Sequence, residues 1–428
     1  MRRILFLLPL VLTALPAFTQ LRVEAELRPR ILVENGYGSP DTEDSPAMGY
    51  ITQRTRLNLD FRQGVFETYL SVQDVRFWGG DNNYRASGTY GQSGSISLHQ
   101  GWFLVKPTPW LSLKAGRQLF SYDDQRILSS RNWNDYQVTY DAFLVKADHN
   151  GHRVDLGLSW NSESSGIFYL PQQKFKTMDF LRYERKTERI TWSAIALVTG
   201  NTLSDTIDRV WLRATWGTNF NFTTPGLRFR SSLYYQHHLN TYGGMVSAWS
   251  GSFRAGVPVL RDKLTGSAGL DYVSGQDETM GDGYASTSHS FDLFYGKRHG
   301  WYGYMDYFNN MPAQGLQDYV IQAEYTPAPR WTLQADYHLF WLAARKADPD
   351  LPGESLSKRL GDELDLTLLW KINEQAEIQA GYSFFLTRPT LEDIKDLEGE
   401  ALKFPQFVYL MITIKPSFTF GASSGPAQ

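Results

Sequence analysis

The chain has 428 residues, no cysteine, a formal net charge of −3 and an aromatic content of 14%. A disulfide framework is therefore excluded, and no global field is available to recruit nucleic acid. Mean hydropathy is −0.38, and past the N-terminus no run has the roughly 20 apolar residues a spanning helix needs.

The first residues read as a secretory signal. Arg2 and Arg3 form a basic head, Ile4 to Val11 a short apolar core, and Ala14 to Ala17 a small-residue cleavage region. The expected organisation is a signal peptide at 1–19, a barrel domain at 20–418 and a short tail at 419–428.

From residue 21 onward, apolar residues alternate with polar ones at period two, which is strand periodicity. Leu21, Val23, Ala25 and Leu27 oppose Arg22, Glu24, Glu26 and Arg28. Leu57, Leu59 and Phe61 oppose Arg54, Arg56 and Asn58. Val210, Leu212, Ala214 and Trp216 oppose Arg209, Arg213 and Thr215. Leu227, Phe229 and Leu233 oppose Arg228, Arg230 and Ser232. Trp331, Leu333, Ala335, Tyr337, Leu339 and Trp341 oppose Thr332, Gln334, Asp336 and His338. Leu364, Leu366, Leu368 and Trp370 oppose Glu363, Asp365 and Thr367. About twenty such segments follow one another. Three alternate poorly, at 72–78, 139–147 and 245–256, and are candidates for bulges.

The connections alternate in length. Those at 62–65, 106–109, 148–151, 185–188, 326–329 and 371–374 are short and rich in turn formers. Those at 35–49, 79–94, 162–174, 343–357 and 387–404 are long. Trp110, Trp192, Trp331 and Trp370 stand beside short turns, Trp160 and Trp341 beside long loops. Two aromatic girdles, short turns at one end and long loops at the other describe an all-β, transmembrane, antiparallel up-and-down barrel in the outer membrane of a Gram-negative bacterium. Its partners would be outer-membrane lipid and the barrel assembly machinery, and no nucleic acid.

Charge on the lipid face costs about 2–4 kcal/mol at midplane, so the charged faces are expected to line the lumen. Arg54, Arg56, Arg117, Arg126, Arg131, Arg209, Arg213, Arg228 and Arg230 lie early in the chain. Asp271, Glu324, Asp336, Glu363, Asp365 and Glu377 lie late. Closing the barrel would set these groups on facing walls, with an arginine-lined path for anionic or hydroxyl-rich solutes. The ordinary alternative is a network of ion pairs that holds the wall. The segment 116–133 gathers Arg117, Arg126, Arg131 and Trp133 around one long connection, which either folds inward or stands as a solvated loop. The eight histidines are scattered without metal spacing, and no nucleophile arrangement appears. Neither an enzyme nor a cofactor is expected. The acidic stretches 41–44 and 277–282 lack EF-hand spacing and read as solvated loops.

Several blocks resemble one known group. Gly116-Arg117-Gln118, Asp124-Gln125-Arg126-Ile127-Leu128, Asn132-Trp133 and Tyr140-Asp141-Ala142 are similar to the alginate export family of outer-membrane barrels. So are Tyr272-Val273-Ser274-Gly275, the run from His299 to Phe308 and the run from Leu360 to Asp365, in the form that Bacteroidetes members show. The resemblance spans nearly the whole mature chain and rests on the order and spacing of the blocks. It implies a monomeric barrel of about 18 strands, against the 18–20 that periodicity allows. It also implies a narrow arginine-rich lumen that passes an anionic polyuronate such as alginate, or a similar polar carbohydrate, without energy input. Carried over by position, Arg117, Arg126 and Asp141 would form the constriction.

Overall fold

The computed structural model describes residues 19–421 except 43–44, 81–95, 167, 171–173, 205–206, 261–262, 294 and 398–400. Apart from Thr19, the expected signal segment lies outside the described residues, as do residues 422–428 of the expected tail.

The alternating segments are strands. They run β1 (Thr19–Asn35), β2 (Met48–Gln63), β3 (Phe66–Phe77), β4 (Ser97–Thr108), β5 (Leu111–Gln118) and β6 (Tyr140–His149). Next come β7 (His152–Leu158), β8 (Thr177–Lys186), β9 (Ile190–Thr202), β10 (Val210–Thr224), β11 (Leu227–Leu239), β12 (Met245–Leu260) and β13 (Leu264–Val273). After the short helix α1 (Asp282–Ala285) and β14 (Thr287–Ser288), the wall resumes with β15 (Leu316–Tyr325), β16 (Trp331–Trp341), β17 (Arg359–Asn373) and β18 (Ala376–Thr387). Helix α2 (Pro389–Ile394), β19 (Gln406–Ile414) and β20 (Ser417–Gly421) complete the chain.

Each wall strand pairs antiparallel with the next, and β1 pairs with β2 on one side and with β19 and β20 on the other. The sheet therefore closes and has no free edge. β14 is two residues in a loop, pairing parallel with β12, while β13 pairs directly with β15. β20 prolongs β19 beyond Pro416 against the same neighbour. Removing those two segments leaves a wall of eighteen strands, the even number that bacterial barrels use. Strand pairing runs from Thr19 to Gly421, slightly beyond the expected limits of 20 and 418 at both ends.

The period-two reading sets the two faces correctly along most strands. Leu57, Phe61, Leu333 and Leu366 point outward and are exposed, whereas Arg54, Arg56, Asp336 and Asp365 point inward and are buried. An outward apolar belt this extensive is stable only against hydrocarbon. Trp331 and Trp370 stack with ring centroids 5.0 Å apart at the turn end, and Trp160 and Trp341 are exposed near the loop end. Of the three segments expected to bulge, the first does, with a register shift at Ser71/Val72. β6 pairs regularly with both neighbours. In β12 the shift falls later, at Pro258/Leu260.

The lumen toward the loop end is not an open tube. Phe120, Leu128, Tyr302, Met305, Tyr307, Phe308, Phe340, Phe385 and Phe407 belong to one buried apolar cluster. These nine come from the wall and from two long connections that fold into the barrel, and Phe175, Leu342 and Leu391 of other connections join them.

Candidate functional site

The first inward connection, residues 119–139, joins β5 to β6. It crosses the lumen by gripping polar groups on opposite walls. On one side Arg28 and Arg30 of β1 hold Asp135 at 2.7 and 2.9 Å. The Arg28 guanidinium also donates to the Asn132 carbonyl at 2.7 Å. From β2, Arg54 donates to the Asn132 side chain at 3.1 Å and Arg56 to the Gln137 side chain at 2.8 Å. On the other side Asp123 accepts from Arg182 of β8, and Asp124 from the Tyr234 hydroxyl of β11 at 2.9 Å. Arg126 donates to Asp271 of β13 at 2.6 Å and to Ser252 of β12 at 3.1 Å. Four residues of this loop that are not glycine, Asp123, Gln125, Arg131 and Gln137, have positive φ. Such conformations persist where surrounding contacts over-determine them. Ile127 and Leu128 then seal the loop into the apolar cluster.

Burial shapes the charges here. It works to raise the Asp135 carboxyl, but Arg30 and Arg28 outweigh it and hold the group below the usual carboxylate range. Burial works to lower the Arg126 guanidinium, and Asp271, Tyr302 and Asp124 outweigh it in the other direction. Both groups are charged anchors at neutral pH.

The second inward connection, residues 274–315, joins β13 to β15. Its backbone N–H groups meet the acidic wall: Met305 donates to Glu363 at 2.7 Å and Tyr304 to Asp365 at 3.2 Å. Gly303 makes that approach possible. Its φ is +83°, and a Cβ there would lie 2.3 Å from the Glu363 carboxylate. The loop also touches the 36–47 connection, where Gly38 N–H donates to the Met305 carbonyl at 2.8 Å. Asp306 accepts from the Tyr37 hydroxyl and lies 2.9 Å from His299 Nδ1.

The two loops meet along a seam. Ser129 N–H donates to the Tyr295 carbonyl at 3.2 Å, and Lys297 N–H donates to the Gln125 carbonyl at 2.7 Å. The Trp301 indole donates to the Asp124 carbonyl at 3.1 Å. A Cβ on Gly296 would lie 1.8 Å from the Arg126 carbonyl oxygen, so only glycine allows the backbones this close.

The expected site residues separate by what surrounds them. Arg54 and Arg56 face the lumen but are buried beneath the first loop and serve as its tethers. Arg126 and Arg131 belong to that loop, and Arg131 Nε donates across the seam to the Gly296 carbonyl at 3.0 Å. Glu363 and Asp365 dock the second loop, and Arg213 pairs with its Asp292 at 2.8 Å. Arg209 lies 4.5 Å over the Trp211 ring just before β10. Arg228 and Arg230 are exposed on the inner face of β11.

Arg117 and Asp141 correct the expectation. They pair with each other through two hydrogen bonds, at 2.9 and 2.7 Å. They share the parity of Phe103, Ala115 and Phe143, the outward face of β4, β5 and β6. They sit at the loop end of their strands and do not form a constriction. An outward charge is tolerated there because the cost in lipid falls to about 0–1 kcal/mol near the interface.

Toward the turn end the lumen keeps open depressions that carry charges of both signs. A depression of about 570 Å³ is lined by Arg189, Arg228 and Lys263 against Glu188 and Glu324. It adjoins a smaller one lined by Arg228, Arg230, Arg254 and Glu324. Glu324 is 3.7 Å from Arg228, and Arg254 pairs with Asp271 at 2.7 Å. Arg254, Arg189 and Lys263 carry no signal in the alternation pattern. Arg254 falls in a segment whose alternation is weak, and the other two stand in turns, where parity carries no information.

The fold is that of outer-membrane porins. OprD from Pseudomonas aeruginosa matches with a TM-score of 0.59 at 12% identity, over 93% of this chain and 94% of that one. Pseudomonas aeruginosa OpdK, solved with vanillate, matches with a TM-score of 0.58 at 12% identity, over 93% and 99%. OccK9 (OpdG) of the same organism matches with 0.58 at 13% identity, over 93% and 98%. No protein-family profile matches the chain, and no curated protein matches it.

Proposed function

We propose that this outer-membrane barrel is a monomeric, passive channel for anionic or polar saccharide-like solutes. The observation that carries the reading is the open basic lane on β11 and β12. Arg228 and Arg230, with Arg189 and Lys263 at the mouth, outnumber Glu188 and Glu324 along the open lumen, while Arg254 behind them is already paired with Asp271. Local field at a narrow, low-dielectric passage decides ion preference, so a chain of net charge −3 still selects anions there. Arginine forks suit carboxylates and vicinal hydroxyls. The likeness to a barrel solved with vanillate, an aromatic carboxylate, supports a small anionic solute. The resemblance of the blocks around Arg126 and His299 to alginate exporters supports a uronate, of which alginate is the polymeric form.

Planar-bilayer recording tests this. The wild-type channel should show an anion-selective reversal potential in a salt gradient, and glucuronate should block it more strongly than glucose. Arg228→Ser with Arg230→Ser should move the reversal potential toward zero and weaken glucuronate block several-fold, while the folded form persists on gels. Unchanged selectivity in that double variant would remove the lane from the mechanism.

A second reading, a barrel with no transport role, draws on the packed cluster at the loop end. Absence of unitary conductance in folded protein would favour it.

A further inference from the structure

The seam between the inward loops holds a partly open cavity of about 150 Å³. The first loop contributes Arg131, Trp133 and Asn134; the second contributes Lys297, Arg298 and His299. Asp306 is the one carboxylate in the wall, and it is already engaged by Tyr37 and His299. Of the cations in the wall, Arg131 donates to the Gly296 carbonyl and Arg298 Nη1 to the carbonyl of Asn309, which also lines the cavity, so the unmet demand falls on Lys297 and on single ring and guanidinium nitrogens. Among the described residues Lys297 Nζ has no hydrogen-bond acceptor; it lies 5.7 Å over the Trp301 ring. Arg298 Nε and His299 Nε2 are buried without a partner. Buried polar groups of this kind are ordinarily satisfied, and a cluster of them around one space marks a missing partner.

The imidazole is also held in place. Trp133 stacks on it at 3.8 Å and Tyr304 at 4.5 Å. Nδ1 is turned to Asp306, which leaves Nε2 as the ring nitrogen without a partner. Burial, then the neighbouring Arg126, pulls the Lys297 ammonium below its usual range, and an anion in contact would restore it. At about 30 Å³ per water the cavity equals about five waters. That admits one small ion and falls short of the roughly 300–1,000 Å³ of drug-sized ligand sites.

We propose that this cavity binds one small oxyanion, of phosphate, sulfate or carboxylate size, through Lys297, Arg298 and His299. Bound there, the ion bonds residues 119–139 to residues 289–315 and sets how firmly the two loops close the lumen. The site is separate from the arginine lane on β11 and β12 and does not depend on what that lane conducts.

Calorimetric titration of the folded full-length chain in detergent, at constant ionic strength with chloride as the background anion, tests it. Inorganic phosphate, sulfate and acetate are the probes. At least one should bind saturably with one ion per chain. Acetate binding as tightly as phosphate assigns the site to carboxylates, such as the end of a solute; phosphate or sulfate alone assigns it to an inorganic ion. Lys297→Met should weaken binding by about tenfold or more, the scale of one charge-assisted hydrogen bond. Asn134→Glu, at an exposed position on the rim, should weaken it comparably without disturbing the core, and keeps the test valid if the Lys297 variant fails to fold. Lys106→Ser, at an exposed position beside a short turn, should leave the affinity unchanged. No saturable binding of any probe, an unchanged affinity in Asn134→Glu, or a loss in Lys106→Ser would overturn the proposal.

Discussion

Asp135 shows how single side chains hold the lumen. It sits between Arg28 and Arg30, with all three groups largely withdrawn from solvent. Removing one partner of a buried pair is more damaging than never having built it, because the other charges remain buried and unpaired. Asp135→Asn should therefore cost about 3–5 kcal/mol in thermal unfolding and release the first loop, seen as larger and noisier single-channel current. The pH dependence follows from the direction of its shift. The folded carboxyl is held below its usual range, burial being outweighed by Arg30 and Arg28. A depressed folded value means the stabilisation is complete above the unfolded value, about 3.9, and is lost as pH falls through the folded one. Current at pH 5 should match that at pH 7, and loosening should begin only below about pH 4. Loosening already present at pH 5 would mean that another group controls the loop. Arg28 was legible as an inward strand charge, whereas nothing local marks Asp135 as its partner. Their meeting, across more than a hundred residues of chain, was not legible.

At the scale of elements, strand parity governs what each position tolerates. Ile321 and Gln322 are neighbours on β15. Ile321 is 61% exposed on the outward face, while Gln322 lines the open basic depression. Ile321→Arg places a guanidinium in hydrocarbon, at about 2–4 kcal/mol if near midplane. Gln322→Arg leaves it in water. Heat-modifiable gel mobility should show a strong loss of folded barrel for the first and near-normal assembly for the second; equal behaviour would refute the register. Parity was readable because alternation is a local property of the chain. It misled for Arg117, where charge was taken as proof of an inward face. Counting from Leu113 and Ala115 places Arg117 outward, and the paired Asp141 with its rim position makes that tolerable.

For the molecule as a whole, the connections sort by length onto two ends. Residues 64–65, 109–110, 150–151, 187–189, 225–226 and 374–375 turn at the end that holds both described termini. Residues 119–139, 159–176, 274–315 and 342–358 lie at the other end. Barrels insert with short turns in the periplasm. A cysteine replacing Leu351, exposed in a long loop, should react with an impermeant maleimide on intact cells, while one replacing Glu374, in a short turn, should react only after permeabilisation. The reverse pattern would invert the barrel and the direction in which the basic lane faces.

The amino-acid sequence by itself determined the barrel. Period-two alternation, girdle tryptophans and alternating connection lengths are local signals, and in a membrane each spanning strand must satisfy its backbone in a closed sheet. It also marked 116–133 as a charged connection, leaving open whether it folds inward or stands in solvent, and Arg54 and Arg56 as inward. Only the tertiary structure decided what the inward charges do. Arg54 and Arg56 tether a loop, Glu363 and Asp365 receive backbone N–H groups, and Arg126 closes on Asp271. Arg228 and Arg230 are left facing open lumen. The physical reason is that a charge's role depends on whether a partner and solvent reach it. Those are set by loops returning from distant positions, and periodicity along a strand carries no record of them.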